Sequence, residues 1–256
     1  MYYPSQSSRS LHLFRTVLEA YPKSFKSAFF FNLLQMILMI FLSMGTASKQ
    51  KHLLWGILSL AAQLVFLLLN LCALRANHLA FEGLDYSSKR VLDYGLKKIG
   101  LLIRWSMASL LMLIPTGIGG IVIGWLHHLK VPLPILIILA ACGIFVLYSL
   151  LAFSITLFAI EEGINIKRLF LKIKQLLGFR YFLYTLYLVL VNVIGYALSN
   201  LDFIFHLSLL SSVIGFLFYL AFLPINNSIQ LLLLHDLELR VGAQGENSNT
   251  SLAESS

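Results

Sequence analysis

Residues 161–180 read Glu161-Glu162-Gly163-Ile164-Asn165-Ile166-Lys167-Arg168-Leu169-Phe170-Leu171-Lys172-Ile173-Lys174-Gln175-Leu176-Leu177-Gly178-Phe179-Arg180, and the reading of this stretch decides the fold. Ile166, Leu169, Phe170, Ile173, Leu176 and Leu177 recur at the helical period, while Lys167, Arg168, Lys172, Lys174 and Gln175 take the other side, the pattern of an amphipathic helix. It lies between two long apolar runs and is strongly basic, which predicts a helix in a membrane interface rather than in a protein core.

Composition sets the surroundings of that helix. Hydrophobic residues make up 59% of the 256, charged residues only 12%, and mean hydropathy is +0.84, against roughly 25% charged in a soluble domain. This predicts an integral membrane protein. The net charge of +8 would suit nucleic acid in a soluble chain, but here the basic residues flank runs long enough to cross a bilayer. The expected partner is therefore membrane lipid with anionic headgroups, and not nucleic acid. Cys72 and Cys142 fall inside apolar runs, so neither a disulfide framework nor a metal site is expected; they read as small lipid-phase or helix-interface residues.

The chain divides into an all-α, polytopic bundle of six predicted spans, at about 27–46, 53–74, 101–126, 131–160, 181–201 and 207–234, in a single domain over 1–240. The first run exceeds a signal-peptide core and reads as an uncleaved span. Ser8 to Tyr21 has helical periodicity, which Pro22 is expected to end before the membrane. The second span is expected to close at Arg75. The tail 241–256, rich in Glu, Asn, Ser, Gly and Gln without periodicity, predicts cytoplasmic disorder. Pro115 in the third span stands near Gly120 and Gly124, a small-xxx-small face, and Pro224 interrupts the sixth. Such positions serve either as packing kinks or as broken helices lining a path.

A second basic stretch precedes the third span: Leu84, Ser88, Val91, Leu92, Gly95, Leu96 and Ile99 make one face, and Lys89, Arg90, Asp93, Lys97 and Lys98 the other. The two stretches align. Glu82-Gly83-Leu84-Asp85 matches Glu162-Gly163-Ile164-Asn165; after a two-residue offset Lys89-Arg90-Val91-Leu92 matches Lys167-Arg168-Leu169-Phe170, and Gly100 matches Gly178. In each, the Asp or Asn is expected to cap the helix and the Gly to turn the chain out of the preceding span. With the N-terminal helix as a degenerate copy, the chain reads as hairpins of two spans, each led by one of two or three interfacial helices. Sixteen of the nineteen lysines and arginines fall on one side of the six-span scheme, which predicts both termini and the interfacial helices in the cytoplasm.

The run Phe158-Ala159-Ile160-Glu161-Glu162-Gly163, the amphipathic Lys-Arg helix, the proline of the last span and Leu234-His235-Asp236-Leu237-Glu238-Leu239-Arg240 together resemble a bacterial family. It is the six-span membrane domain found ahead of some glycerophosphodiester phosphodiesterases, with its stand-alone YciC-like relatives. The family's Asp-Leu followed closely by Arg corresponds to Asp236, Leu237 and Arg240, whereas its small residue and serine within the amphipathic helix are replaced by Leu169, Phe170 and Leu171. The resemblance implies the six-span fold over nearly the whole chain and little chemistry, since the phosphodiesterase domain is a separate soluble module.

Catalytic signals are sparse. Arg104 and Asp202 lie near span ends and read as interface anchors, and no His-Glu-x-x-His, serine elbow or series of intramembrane carboxylates is present. His52, His127, His128 and His206 fall on outer connections; solvated loop histidines are the reading, with no metal assigned. In-span amides, among them Asn32, Gln35, Asn192, Asn226, Asn227 and Gln230, are expected to bond helix to helix or, with Pro224, to line a cavity.

The sequence thus predicts a non-enzymatic protein of the bacterial inner membrane without cofactor. It would be an envelope scaffold or membrane-organising factor holding lipid headgroups through Lys89, Arg90, Lys97, Lys98, Lys167, Arg168, Lys172 and Lys174. The protein partners left open are a second copy or other envelope proteins. The alternative is a transporter or flippase-like carrier for a lipid or small amphiphile.

Overall fold

The computed structural model describes residues 3–4, 10–47, 53–84, 86–111, 125, 132, 134–135, 153–199 and 209–253. Eight helices account for nearly all of them, with no strand among the described residues: α1 (Ser10–Ala47), α2 (Leu53–Glu82), α3 (Ser88–Lys97), α4 (Ile99–Leu111), α5 (Ser154–Ile160), α6 (Ile166–Leu176), α7 (Phe179–Ser199) and α8 (Leu209–Ala253). Two stretches are long and apolar enough to cross a membrane, Leu58–Glu82 and Leu217–Gly242. A third candidate is the pair formed by α6 and α7, which bends by 106° at its break. The segments of the other expected spans fall in α1, in α4, in α5 and outside the described residues.

The long helices are mainly apolar along much of their length, as expected of elements buried by neighbours or by lipid. α1 packs along α2 and α8, α7 packs on α8, and the short α3 and α5 lean on α2. The main core lies where these meet, built on Phe31, Leu71, Leu74, Phe81, Phe153, Phe158, Leu169, Tyr181 and Tyr184. The outward sides of α4 and α7 present Ile103, Met107, Phe182, Leu186, Leu190 and Val193, side chains that suit hydrocarbon.

Several boundaries differ from the sequence reading. Pro22 does not end a helix; it lies inside α1. The residue one turn earlier, Leu18, whose carbonyl the proline leaves without a helical N–H, is 68% exposed, while Val17, Ala20 and Ser24 nearby are buried in the bundle. Pro224 likewise lies inside α8 without interrupting it. Ser24 and Ser228 both donate hydroxyls to the Pro224 carbonyl, at 3.1 and 2.7 Å, which ties α1 to α8 at the proline turn. α2 does not close at Arg75. It runs seven residues further, to a stop at Gly83, whose φ of 79° and bonds Gly83 N–H to Ala80 O and Leu84 N–H to Leu79 O make a Schellman end. α8 continues to Ala253, over most of the segment whose composition predicts disorder, because extending an existing helix costs far less than starting one.

Candidate functional site

The basic end of the bundle is assembled from the α2 C-terminus, α3, the 161–165 connection, α6 and the last turns of described α8 side chains. Both amphipathic stretches are helices there. Asn165 caps α6, its side chain accepting from the Arg168 N–H at 2.9 Å. In α3 the cap is Ser87, accepting from the Arg90 N–H at 3.3 Å, not Asp85, which lies outside the described residues. The two-residue offset in the sequence alignment moves the cap by the same amount, and the caps stand three residues before the matched arginines in both copies. Gly83 uses the left-handed backbone, whereas Gly163 has no positive φ.

The apolar faces do not go where their spacing predicted. Leu169, Ile173 and Leu176 of α6 are buried in the protein core, so this stripe covers the bundle rather than entering lipid. Periodicity reports that one face is apolar, not what covers it. α3 buries Val91 and Gly95 but leaves Leu92 and Leu96 outside, continuous with Ile99 and Ile103 of α4. Of these two helices, α3 keeps the outward apolar stripe of the kind an interfacial helix needs. Cys72 does sit at a helix interface, its thiol 3.7 Å from Val91 O and directly beneath Gly95; Cys142 lies outside the described residues.

The eight basic residues separate into two groups. Lys89, Arg90, Lys97, Lys167, Arg168 and Lys174 are exposed. Lys98 and Lys172 are not free headgroup contacts. Lys98 is buried, and its ammonium donates to the carbonyls of Glu161 and Glu162 at 3.0 and 2.5 Å. Burial, and then repulsion from Arg75, push its pKa below the ordinary lysine value, against the pull of Glu162. Lys172 pairs with the Glu161 and Glu238 carboxylates, tying α6 to the 161–165 connection and to α8.

The centre of this end is a residue the sequence reading treated only as a span terminus. Arg75 is buried, donates through Nη1 to the carbonyls of Ala159 and Ile160 at 3.1 Å each, and through Nη2 to Glu162 at 2.5 Å. Its guanidinium lies 4.5 Å from the centre of the Tyr94 ring, within cation–π range. Tyr94 donates its hydroxyl to Phe158 O at 2.6 Å, and burial pushes this phenol up to about 12. Arg75, Tyr94 and Lys98 therefore serve the carbonyls left open where α5 stops, work usually done by a local C-cap. On the neighbouring side Asp236, fully buried, accepts from Tyr184 at 2.5 Å and Arg240 at 2.7 Å, joining α7 to α8.

Two cavities open at this end. An open groove of about 660 Å3 between α3 and the connection is lined by Arg90, Asp93, Tyr94, Lys97, Lys98, Leu101 and Glu162 to Ile164. A smaller one, about 350 Å3, is lined by Tyr3, Pro4, His78, Glu82, His235 and Glu238 among others. There Tyr3 meets His78 at 2.8 Å and His235 donates to Pro4 O at 3.0 Å. No three His, Cys, Asp or Glu side chains among the described residues converge as a metal site. The four outer-connection histidines lie outside those residues.

The expected cavity residues divide likewise. Pro115, Gly120 and Gly124 lie outside the described residues. Gln230 accepts from Thr156 at 3.1 Å and donates to Asn226 at 3.5 Å, while Asn226 donates to Asn192 at 3.4 Å and Asn227 to Asn32 at 3.4 Å. These amides form a polar seam between α1, α5, α7 and α8, and neither cavity described above is lined by them. Comparison of the chain with family models, with curated proteins and with solved structures found no match.

Proposed function

We propose that this chain is a six-span, non-enzymatic protein of the bacterial inner membrane with cytoplasmic termini, akin to the membrane domain its sequence resembles. Its role is that of an envelope scaffold or membrane-organising factor that holds anionic lipid on α3 and α6. The observation that carries the reading is the outer surface of α3 and the start of α4: the stripe Leu92, Leu96 and Ile99 is exposed beside exposed Lys89, Arg90 and Lys97, an arrangement suited to the headgroup boundary. α6 adds Lys167, Arg168 and Lys174, with its apolar face used internally.

Each exposed cation near an anionic leaflet contributes about 1 kcal/mol. Replacing Lys89, Lys167, Arg168 and Lys174 by Gln therefore weakens association with phosphatidylglycerol vesicles by more than about tenfold at low salt, and less at high salt. Lys172 is left intact because it holds the fold together. Unchanged phosphatidylglycerol co-purification in that variant removes the reading.

The carrier remains a second reading because of one observation. Asn32 and Asn77 are fully buried, and each side-chain amide nitrogen lacks a partner, donors that a polar cargo passing between α1, α2 and α8 would satisfy. Lipid scrambling by the purified chain in vesicles, lost on N32L/N77L, would favour it; no scrambling favours the scaffold.

A further inference from the structure

We propose that the groove between α3 and residues 162–164 is a headgroup site for a phospholipid carrying a primary ammonium beside its phosphate. The proposal rests on the reading above only in placing α3 at the membrane surface.

The groove holds charges of both signs that have no ion partner among the described residues. Arg90 and Lys97 line it and enter no ion pair among the described residues. Asp93 lies between them at helix spacings that normally favour pairing, three residues from one and four from the other, and it too forms no pair. The side chains of α3 thus present two cations flanking one carboxylate to the same open space. Lys98 adds a donor: an ammonium has three, two go to the Glu161 and Glu162 carbonyls, and the residue lines the groove. Glu162 is already matched to Arg75.

A purely anionic surface would gain from Arg90, Lys97 and Lys98 but meet repulsion from Asp93. A phosphate linked by two carbons to an ammonium answers both: the phosphate between Arg90 and Lys97, with Lys98 behind, and the ammonium donating to Asp93. A quaternary ammonium carries the same charge without donors and satisfies Asp93 less well. Leu101 and Ile164 supply an apolar floor where the glycerol and upper acyl chain of a membrane lipid fit and a soluble headgroup gains nothing.

The test uses the full chain in nanodiscs of phosphatidylcholine doped with phosphatidylethanolamine or phosphatidylglycerol, reading lipid enrichment around the protein. The expected result is ethanolamine enriched over choline, with D93N lowering that preference about fivefold, the size of one exposed charge pair, while glycerol-lipid retention holds or rises. R90Q/K97Q lowers retention of both doped lipids. Wild type without ethanolamine preference, or D93N leaving it intact, overturns the proposal, as does soluble phosphoethanolamine competing as well as the lipid. The K89Q/K167Q/R168Q/K174Q variant, whose positions lie outside the groove, tests the scaffold separately: it weakens general anionic retention under that reading and leaves the ethanolamine preference in place.

Discussion

Removing the Arg75 guanidinium while keeping its apolar stem, as in R75M, tests the account of how the basic end is held. Nη1 serves two carbonyls at the end of α5. Hydrogen bonds from a charged donor contribute about 1.5–3 kcal/mol each, so these two carry about 3–6 kcal/mol. The Glu162 link adds little, since that carboxylate is 74% exposed and such pairs are worth about 0–1 kcal/mol. The Tyr94 face adds about 1 kcal/mol. The expected loss is thus about 4–8 kcal/mol, concentrated where α5 meets α2 and α3. In detergent or nanodiscs R75M should lower the apparent Tm by about 8 °C or more, taking about 2–4 °C per kcal/mol for a chain of this size. Amides in 158–165 should exchange faster, with those of α1 unchanged. R75K should recover only part of the loss, because a single ammonium cannot reach two carbonyls and a carboxylate in the planar fork that Arg75 uses. A Tm within 2 °C of wild type, with unaltered exchange over 158–165, would show that the α5 carbonyls are satisfied by other means and would refute the reasoning.

Two further perturbations probe the same end. A Cβ added at Gly95 would stand 2.6 Å from Cys72 Sγ and 3.0 Å from Leu68 Cδ1, so G95A should destabilise by about 1–3 kcal/mol, and the double variant G95A/C72A should recover most of it in thermal melts; no recovery would place the strain elsewhere. The Tyr94 phenol ionises only at about 12 in the folded chain against 10 when unfolded, so its contribution is full below pH 10 and is lost as pH rises through about 12. Y94F should flatten that alkaline fall in melts taken from pH 9.5 to 12, and an identical slope in both proteins would contradict it.

How much of this was legible in the chain follows from what each signal measures. Hydropathy and period located the helices, including α6, whose Asn165 cap and Ile166–Leu176 extent match the quoted stretch closely. Stops were read less well. Charge usually marks a membrane boundary, which makes Arg75 look like the end of α2, yet a buried arginine can stay helical when carbonyls and an aromatic ring receive it, and the true stop signal is Gly83, eight residues after Arg75. Sequence alone marks Pro22 and Pro224 as breaks, but both lie inside helices held on buried sides by other elements.

The contrast of Lys97 with Lys98 carries the argument furthest. Two adjacent lysines have the same propensity, charge and hydropathy, and composition cannot separate them. Their azimuths on the helix differ by about 100°, and that is enough: Val91, Gly95, Lys98, Leu102 and Trp105 form one stripe, and every other member of it is buried. A lysine on a buried stripe must find acceptors, and at this position the open carbonyls of Glu161 and Glu162 supply them. Lys97, a third of a turn away, is left facing the groove with Arg90 and Asp93. Cations that fasten the fold and cations available to a lipid are therefore distinguished by helical phase, and a lipid-binding surface inferred by counting lysines overstates its free charge by those, like Lys98 and Lys172, that the protein has already engaged.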